Sequence, residues 1–366
     1  MIKRLKKVTV QMMAGANVAT IIIMFLVGYS DCPHPASISI FCNAGLAFPL
    51  FLVANLCFLF FWLIFKTKYA LIPCLGFVVC YVPVRQYTPF NVGREVPEGS
   101  IKVLSYNTWY YGGQTEGPDE VNPVIQYLKD QDADIVCLQE SSPTSREQEQ
   151  IDSLLLPVYA YRDTTRYAVG KGDMLAFFSK YPILSKERIT YDSQNNMTMA
   201  YRLRIDHRDV IVINNHLEST GLTPEERKQF KELIKGKLKT DTAEEASKLL
   251  VVKLAEATRK RASQAEAVAQ YVERHKGSSI ILCGDFNDGP ISYAHRTIAK
   301  HLTDCYIASG NGPGISYHKG GFYVRIDNIM CSEDWQPYGC KVDNEISVSD
   351  HYPIICYLKS SRNRKK

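Results

Sequence analysis

The sequence predicts a layered α/β sandwich carried behind an apolar helical segment, and three observations predict it. Residues 101–366 alternate strand-like and helix-like stretches, as stacked layers of sheet and helix require. The first hundred residues instead hold three long uncharged runs. Charge divides at the same boundary: residues 1–100 carry 8 Lys/Arg and 3 Asp/Glu, and residues 101–366 carry 35 of each. The whole formal net charge of +5 therefore belongs to the first part, with five of the eleven cysteines. A hydrophobic share of 46% and a charged share of 22% exclude a disordered chain, and 366 residues exclude a small disulfide scaffold. The length suggests about two units at roughly 150 residues per domain. Neutral bulk charge in 101–366 disfavours a domain built to grip polyanions.

After Lys3, Arg4, Lys6 and Lys7 no charge occurs from Val8 to Ser30, and after Asp31 none from Cys32 to Phe65. Roughly 20 apolar residues cross a bilayer, so both runs are predicted spans. A third run, Tyr69–Val84, needs Lys68 or Arg85 to reach outward at its ends. The competing reading of Met1–Ser30 is a cleaved signal peptide; no small-x-small site follows it, and two more apolar segments do. Lys/Arg bias puts the N-terminus and the Lys66–Lys68 loop in the cytoplasm. With three spans the chain after Arg85 is extracytoplasmic; with two it is cytoplasmic. Cys32 with Cys42, and Cys331 with Cys340, are candidate pairs, with free thiols as the alternative.

Gln86–Ser100, broken by Pro89 and Pro97, reads as a linker. Ile101–Tyr106 alternates as a strand, Val121–Lys129 has helical apolar spacing, and Ile135–Leu138 is a buried strand. Met174–Ser179, Tyr201–Ile205, Val210–Asn214, Ser279–Cys283, Val324–Met330 and Pro353–Leu358 follow as strands, for some ten in all. Thr223–His275 reads as one long helical region: Thr223 caps it, Pro224 takes the first helical position, and Ala262, Ala265, Val268, Ala269 and Val272 make one apolar face. Its lysines, from Lys228 to Lys239, read as a solvated face, with anionic lipid as the sharper alternative. Arg362–Lys366 is a basic tail.

The chemistry gathers at strand ends. Ser105-Tyr106-Asn107, Leu138-Gln139-Glu140, Asn215-His216-Leu217, Gly284-Asp285-Phe286-Asn287, Arg325-Ile326-Asp327 and Ser349-Asp350-His351 each end an apolar stretch with acids, amides or imidazoles. Strand ends are rigid mounts for catalytic groups. Each motif alone has a bland reading: a core histidine for His216, a helix-starting acid for Glu140, turns for Asp285–Asn287 and Asp350-His351. Together they supply four carboxylates, four amides and two imidazoles. That oxygen-rich, cysteine-free set suits Mg2+ or Mn2+. It points to metal-assisted attack of water on a phosphate ester.

The same series resembles the endonuclease/exonuclease/phosphatase superfamily, which includes deoxyribonuclease I, abasic-site endonucleases, neutral sphingomyelinases, inositol polyphosphate 5-phosphatases and deadenylases. The resemblance runs from about Ile101 to Leu358. It implies a four-layer α/β/β/α sandwich of deoxyribonuclease I type. It also implies Glu140 as a metal ligand with Asn107 and Asp350, Asp285 orienting or deprotonating the water, and Asn287 on a phosphate oxygen. His351 would act on the phosphate or the water, its tautomer fixed by Asp327, and His216 would serve the leaving oxygen. Abasic-site nucleases carry an acid where this chain has Trp109, which counts against DNA repair. Trp109-Tyr110-Tyr111 with Gly112-Gly113 is expected to form a mobile aromatic loop beside the site.

The expected organisation is a three-helix membrane anchor over 1–85, a linker over 86–100, a catalytic domain over 101–360 and a tail over 361–366. The expected function is a membrane-anchored, Mg2+-dependent phosphoesterase, with Mn2+ as a substitute metal. Its substrate would be a lipid headgroup, a phosphoinositide or a small phosphodiester, and membrane lipids would contact the N-terminal helices. The alternative is a tethered nuclease acting on DNA or RNA, which the neutral domain disfavours. A catalytically dead scaffold is the third reading, disfavoured because every expected polar site except the acid at 109 is filled.

Overall fold

A computed structural model describes residues 2–113, 120–168 and 171–361. The basic tail from Arg362 on lies outside the described residues. The N-terminal unit contains helix α1 (Ile2–Gly28), a short helix α2 (Pro35–Cys42), and α3 (Phe48–Phe65), followed by α4 (Leu71–Val79) and α5 (Tyr81–Tyr87). Leu5–Gly28 and Pro35–Phe65 are each long and apolar enough to cross a membrane. The third predicted span is a bent pair, with 69° between Thr67–Val79 and Tyr81–Tyr87. Pro83 has no N–H to bond back one turn, so the helix breaks at Cys80. Polar side chains tie the apolar helices together. Asn17 Nδ2 donates to Asn55 Oδ1 (3.2 Å), Trp62 Nε1 to Asn17 Oδ1 (3.1 Å), and Asn55 Nδ2 to the Pro73 carbonyl (3.0 Å).

Twelve strands among the described residues form two six-stranded sheets, two more than the sequence suggested. They are β1 (Ile101–Asn107), β2 (Ile135–Gln139), β3 (Tyr161–Ala168), β4 (Lys171–Ser179), β5 (Ile183–Ile189) and β6 (Thr198–Ile205). The rest are β7 (Arg208–His216), β8 (Ser279–Asp285), β9 (Thr303–Asp304), β10 (Asp327–Cys331), β11 (Trp335–Val342) and β12 (Ile354–Ser360). One sheet runs β11-β12-β1-β2-β4-β3 and the other β5-β6-β7-β8-β10-β9. β3, β5 and β11 escaped the sequence reading because they alternate charged with apolar residues or carry proline. The expected strand at Val324 starts instead at Asp327; Val324 forms an isolated bridge to Tyr317.

Between the sheets lies a core that includes Val103, Phe177, Tyr201, Val212 and Ile354. Helices Pro123–Gln131 and Ser145–Leu154 cover the outer face of the first sheet. The long helix Thr240–Arg274 covers the second, burying Ala265, Val268 and Val272 against Ile211, Ile213 and Leu282. The result is the expected four-layer sandwich. The region 223–275 is two helices and not one: Pro224–Ile234 and Thr240–Arg274, separated at Gly236 with φ +64°.

The N-terminal unit docks on the sandwich. His34 Nε2 lies 2.8 Å from Glu266 Oε1, Thr258 Oγ1 donates to Asn43 Oδ1 (2.9 Å), and Arg259 Nε to Ser39 Oγ (3.2 Å). Any Cβ on Gly45 would lie 2.4 Å from the Ile291 carbonyl oxygen, so the chain can approach that closely only as glycine. The stretch after α5 is no free tether. Asn91 Nδ2 donates to the Ile307 and Gly310 carbonyls, and buried Arg325 donates to the carbonyls of Gln86 and Pro313. All eleven cysteines are free thiols: Cys32 donates to Asp31 and Cys42 to the Pro33 carbonyl, and Cys305 Sγ donates to Cys331 Sγ at 3.6 Å. Neither candidate pair is formed, and the free-thiol alternative holds.

Candidate active site

Sheet topology explains why six motifs so far apart in sequence meet. β1 and β2 run parallel, so Asn107 and Glu140 leave the sheet on one edge, and β12 runs antiparallel to β1, so Asp350-His351 enters there. In the second sheet β7 and β8 are parallel and β10 antiparallel, which puts His216, Asp285 and Asp327 at the matching edge. Asp285 pairs in register with both His216 and Asp327. Buried amides join the two sheets, with Gln139 Nε2 donating to Asn214 Oδ1 (2.7 Å) and Asn214 Nδ2 to the Leu138 carbonyl (3.1 Å).

Asp285 is the centre of the constellation. Its Oδ1 accepts from the Asn287 N–H (2.7 Å), and its Oδ2 from Asn107 Nδ2 (3.1 Å) and Asn287 Nδ2 (3.3 Å). Two imidazoles flank it, His216 Nε2 at 3.6 Å and His351 Nε2 at 3.7 Å. Asp327 Oδ2 sits 2.8 Å from His351 Nδ1, the spacing of a carboxylate that fixes a histidine tautomer. Burial pushes the Asp285 carboxyl up, against the pull of His351. For His351 burial pulls down, but Asp327 and Asp285 outweigh it and hold the ring up at about 10. Gly284 makes the motif sterically possible: with φ +140°, a Cβ there would lie 1.8 Å from the Asn215 carbonyl oxygen.

Glu140 has φ +49° and turns its carboxylate to the cleft, where Asn107 Nδ2 donates to it (3.2 Å) and His216 Nε2 lies 3.9 Å away. Asp350 lines the same cleft but faces Arg227, at 3.5 Å, and is not hydrogen-bonded to Asn107. Asp285, Asp327 and His351 bring possible metal-holding atoms within 4.8 Å of one another. In that group the Asp327–His351 hydrogen bond occupies the His Nδ1 position, whereas Glu140 lies on the cleft wall. The donor chemistry fits a divalent ion: Glu140, Asp288 and Asp350 line the cleft with Arg227 and Arg261, and buried Asp327 Oδ1 has no protein partner.

Residues 109–113 form a left-handed turn and not a loose loop: Trp109, Tyr110 and Tyr111 have φ of 44°, 53° and 57°. Such backbone costs roughly 1–2 kcal/mol per residue. Tyr110 N–H to the Glu140 carbonyl (2.9 Å), Tyr111 Oη to Ser141 Oγ (2.6 Å) and Asn122 Nδ2 to the Tyr111 carbonyl (2.9 Å) hold it. Tyr111 is thus packing, while Trp109 and Tyr110 line the ≈ 320 Å³ cleft. A larger cavity, ≈ 1070 Å³, lies between Asn91–Arg94 and Gly339–Val342 and is lined by no carboxylate among the described residues.

Two residues in the cleft were not foreseen. Arg227 Nη1 donates to Tyr317 Oη (3.1 Å), and Tyr317 packs edge-on against His351 with 5.1 Å between centroids. Arg227 stood in a lysine-rich helix that reads locally as solvated surface, and Tyr317 in a motif-free loop; only the fold brings them in. Arg227→Ala is expected to raise KM about tenfold or more, with Arg227→Lys recovering part of it, because a lone ammonium replaces the charge but not the forked donor. Steady-state kinetics on a phosphodiester would check this.

A two-sheet sandwich with this oxygen-rich edge defines a metal-dependent phosphoric ester hydrolase. The chain belongs to the Endonuclease/Exonuclease/phosphatase family, which matches residues 104–351. A Domain of unknown function (DUF8431) matches residues 10–87. Among solved structures, D. rerio TDP2 complexed with single strand DNA product superposes with TM-score 0.51 at 14% identity, over 72% of this chain and 100% of that one. The human Nocturnin catalytic domain with bound sulfate anion gives 0.50 at 16%, over 72% and 94%. No curated protein sequence matches.

Proposed function

We propose that the protein is a membrane-anchored, Mg2+-dependent phosphoesterase that hydrolyses a phosphate mono- or diester on the extracytoplasmic side. The observation that carries the chemistry is Asp285 held between His216 and His351, opposite Glu140. Glu140, with Asn107 and Asp350, would hold the metal. When bound, the cation supplies Lewis-acid neutralisation of phosphate charge. Asp285 orients the attacking water and takes its proton as the new P–O bond forms. One ester P–O bond breaks, and His216 donates a proton to the leaving oxygen. Asn287 and Arg227 hold phosphate oxygens, and His351, oriented by Asp327, stabilises charge gathering there.

Two features support the extracytoplasmic placement. The stretch between α1 and α3, which opens the apolar Pro35–Phe65 segment, contacts the catalytic domain through His34, Ser39, Asn43 and Gly45. That stretch and the domain therefore share one side, so residues 48–87 must cross the bilayer an even number of times. On this reading α3, the larger part of the Pro35–Phe65 segment, crosses, and the bent α4–α5 pair returns. Lys66 and Lys68 then fall on the opposite, cytoplasmic side. On this reading 1–85 is the anchor, 86–100 a docked linker and 101–360 the catalytic domain. A reporter fused after Glu98 should be active only when exported; activity confined to the cytoplasm would refute the topology.

The test of function is hydrolysis by the full-length protein in lipid nanodiscs. Bis(p-nitrophenyl) phosphate, plasmid DNA and phospholipid would be offered with Mg2+, Mn2+ or chelator. Metal-dependent turnover of the chromogenic diester and of lipid is expected. Nicking of plasmid without lipid turnover would favour the nuclease alternative, which the DNA-bound TDP2 relative keeps in view.

A further inference from the structure

The catalytic cleft opens into two further cavities of opposite chemistry. On one side it shares Tyr110, Glu140, Thr220 and Gly221 with a ≈ 550 Å³ groove walled by Gln194, Asn196, Glu218, Lys253 and Lys260. On the other it shares Asn43, Leu46, Leu254 and Phe322 with a ≈ 370 Å³ cavity. That second cavity is lined further by Pro49, Phe230, Leu250, Ile291 and Tyr323, and is mainly apolar. Phe230 and Phe322 stack to form one wall, 4.3 Å between centroids and 16° between planes.

Position decides what the apolar cavity faces. Leu46 and Pro49 lie at the start of α3, inside the apolar Pro35–Phe65 segment, so on the membrane-anchored reading the cavity's edge lies where α3 would enter the bilayer. The long helix points the same way. Its residues Thr258, Arg259 and Glu266 contact Asn43, Ser39 and His34, while Leu254 and Leu250, one and two turns further toward its N-terminus, reach the cavity beside Leu46 and Pro49. Leu249, Val251 and Val252 are exposed at that end. A soluble phosphodiester gains nothing from a hydrocarbon wall beside its phosphate; an amphiphile gains burial of its methylenes.

We propose that the substrate is a bilayer lipid phosphodiester. One hydrocarbon chain lies in the Leu46–Leu250–Phe322 corridor, the phosphate sits at Asp285, and the polar headgroup sits in the Lys253–Lys260 groove. The anchor is thereby part of the substrate site as well as a tether. This assignment rests on the reading of the edge as a phosphoesterase centre.

The test uses the full-length protein in nanodiscs with Mg2+ and two esters sharing one leaving group, p-nitrophenyl methyl phosphate and p-nitrophenyl hexadecyl phosphate. The expected kcat/KM ratio favours the hexadecyl ester roughly tenfold or more, as burial of several methylenes allows. Leu250→Glu should bring the ratio close to one, and Leu250→Met should preserve it. Partition into the disc is the same for all three proteins, so it cannot produce that difference. A ratio near one in the unaltered protein, or a ratio insensitive to Leu250→Glu, overturns the corridor. A hexadecyl phosphodiester with a diazirine at its chain end gives a readout independent of turnover. Labelling of Phe230, Leu250 or Phe322 supports the corridor even if neither ester is hydrolysed, which would sink the phosphoesterase reading alone. Labelling confined to α1 and α3 sinks the corridor.

Discussion

Asp285→Asn should lower kcat on bis(p-nitrophenyl) phosphate by roughly 10²–10⁴-fold, the range of one lost proton transfer, with little change in KM. Asparagine keeps the shape and can still accept from the Asn287 N–H, but it cannot take a proton from water. The change also removes the charge that His216 and His351 both face. His351→Ala should fall in the same range, and the double variant should lose far less than the product of the two, because the residues act as one unit. Full activity in either single variant would overturn the site assignment. Protonation of His351 offers a second measurement. Held up at about 10 by Asp327 and Asp285 against burial, the ring of the metal-free protein should stay protonated through neutral pH. A raised value means that its contribution to stability is complete below about pH 6.5 and is lost as the pH climbs toward 10. Nitrogen-15 NMR of the ring should show this, and Asp327→Asn should move the titration downward.

Glu140→Gln is expected to weaken divalent-metal binding by at least about 10–100-fold, the loss seen even for partners that stand behind a ligand. The carboxylate lines the cleft at the strand edge, where Asn107 Nδ2 donates to it at 3.2 Å. An amide keeps that volume but offers the cation a neutral oxygen in place of an anion. Calorimetric titration with Mg2+, and Mn2+ binding followed by EPR, read the loss without any turnover. Activity should return in part at high metal concentration. Unchanged affinity would shift the metal to the Asp285–Asp327–His351 group.

The local signals were the reliable ones. Alternating or continuous apolar runs give β1, β2, β7 and β8 their place in sequence, and short polar peptides at their ends name Asn107, Glu140, His216 and Asp285, because strand period and turn chemistry need only neighbouring residues. Thr223 and Pro224 start their helix as the capping rules require. Where the chain bends against its own pattern, the reading ran out. The Pro83 break converted a short third run into a bent pair, and the lysine-rich stretch hid the helix stop at Gly236.

What the sequence by itself determined is an uncharged helical segment, a sandwich behind it, and the residue types that ring the candidate site, since each follows from periodicity or from a few adjacent residues. Only the tertiary structure decided that Asp285 stands between two imidazoles and that Arg227 and Tyr317 enter the cleft from elements without motifs. It also decided that the Asn43–Pro49 turn of the N-terminal unit closes one wall of the cleft. Those facts depend on which strands pair and which surfaces dock across two hundred residues and more. Such contacts arise from packing complementarity, which leaves no periodic trace in the chain that makes them.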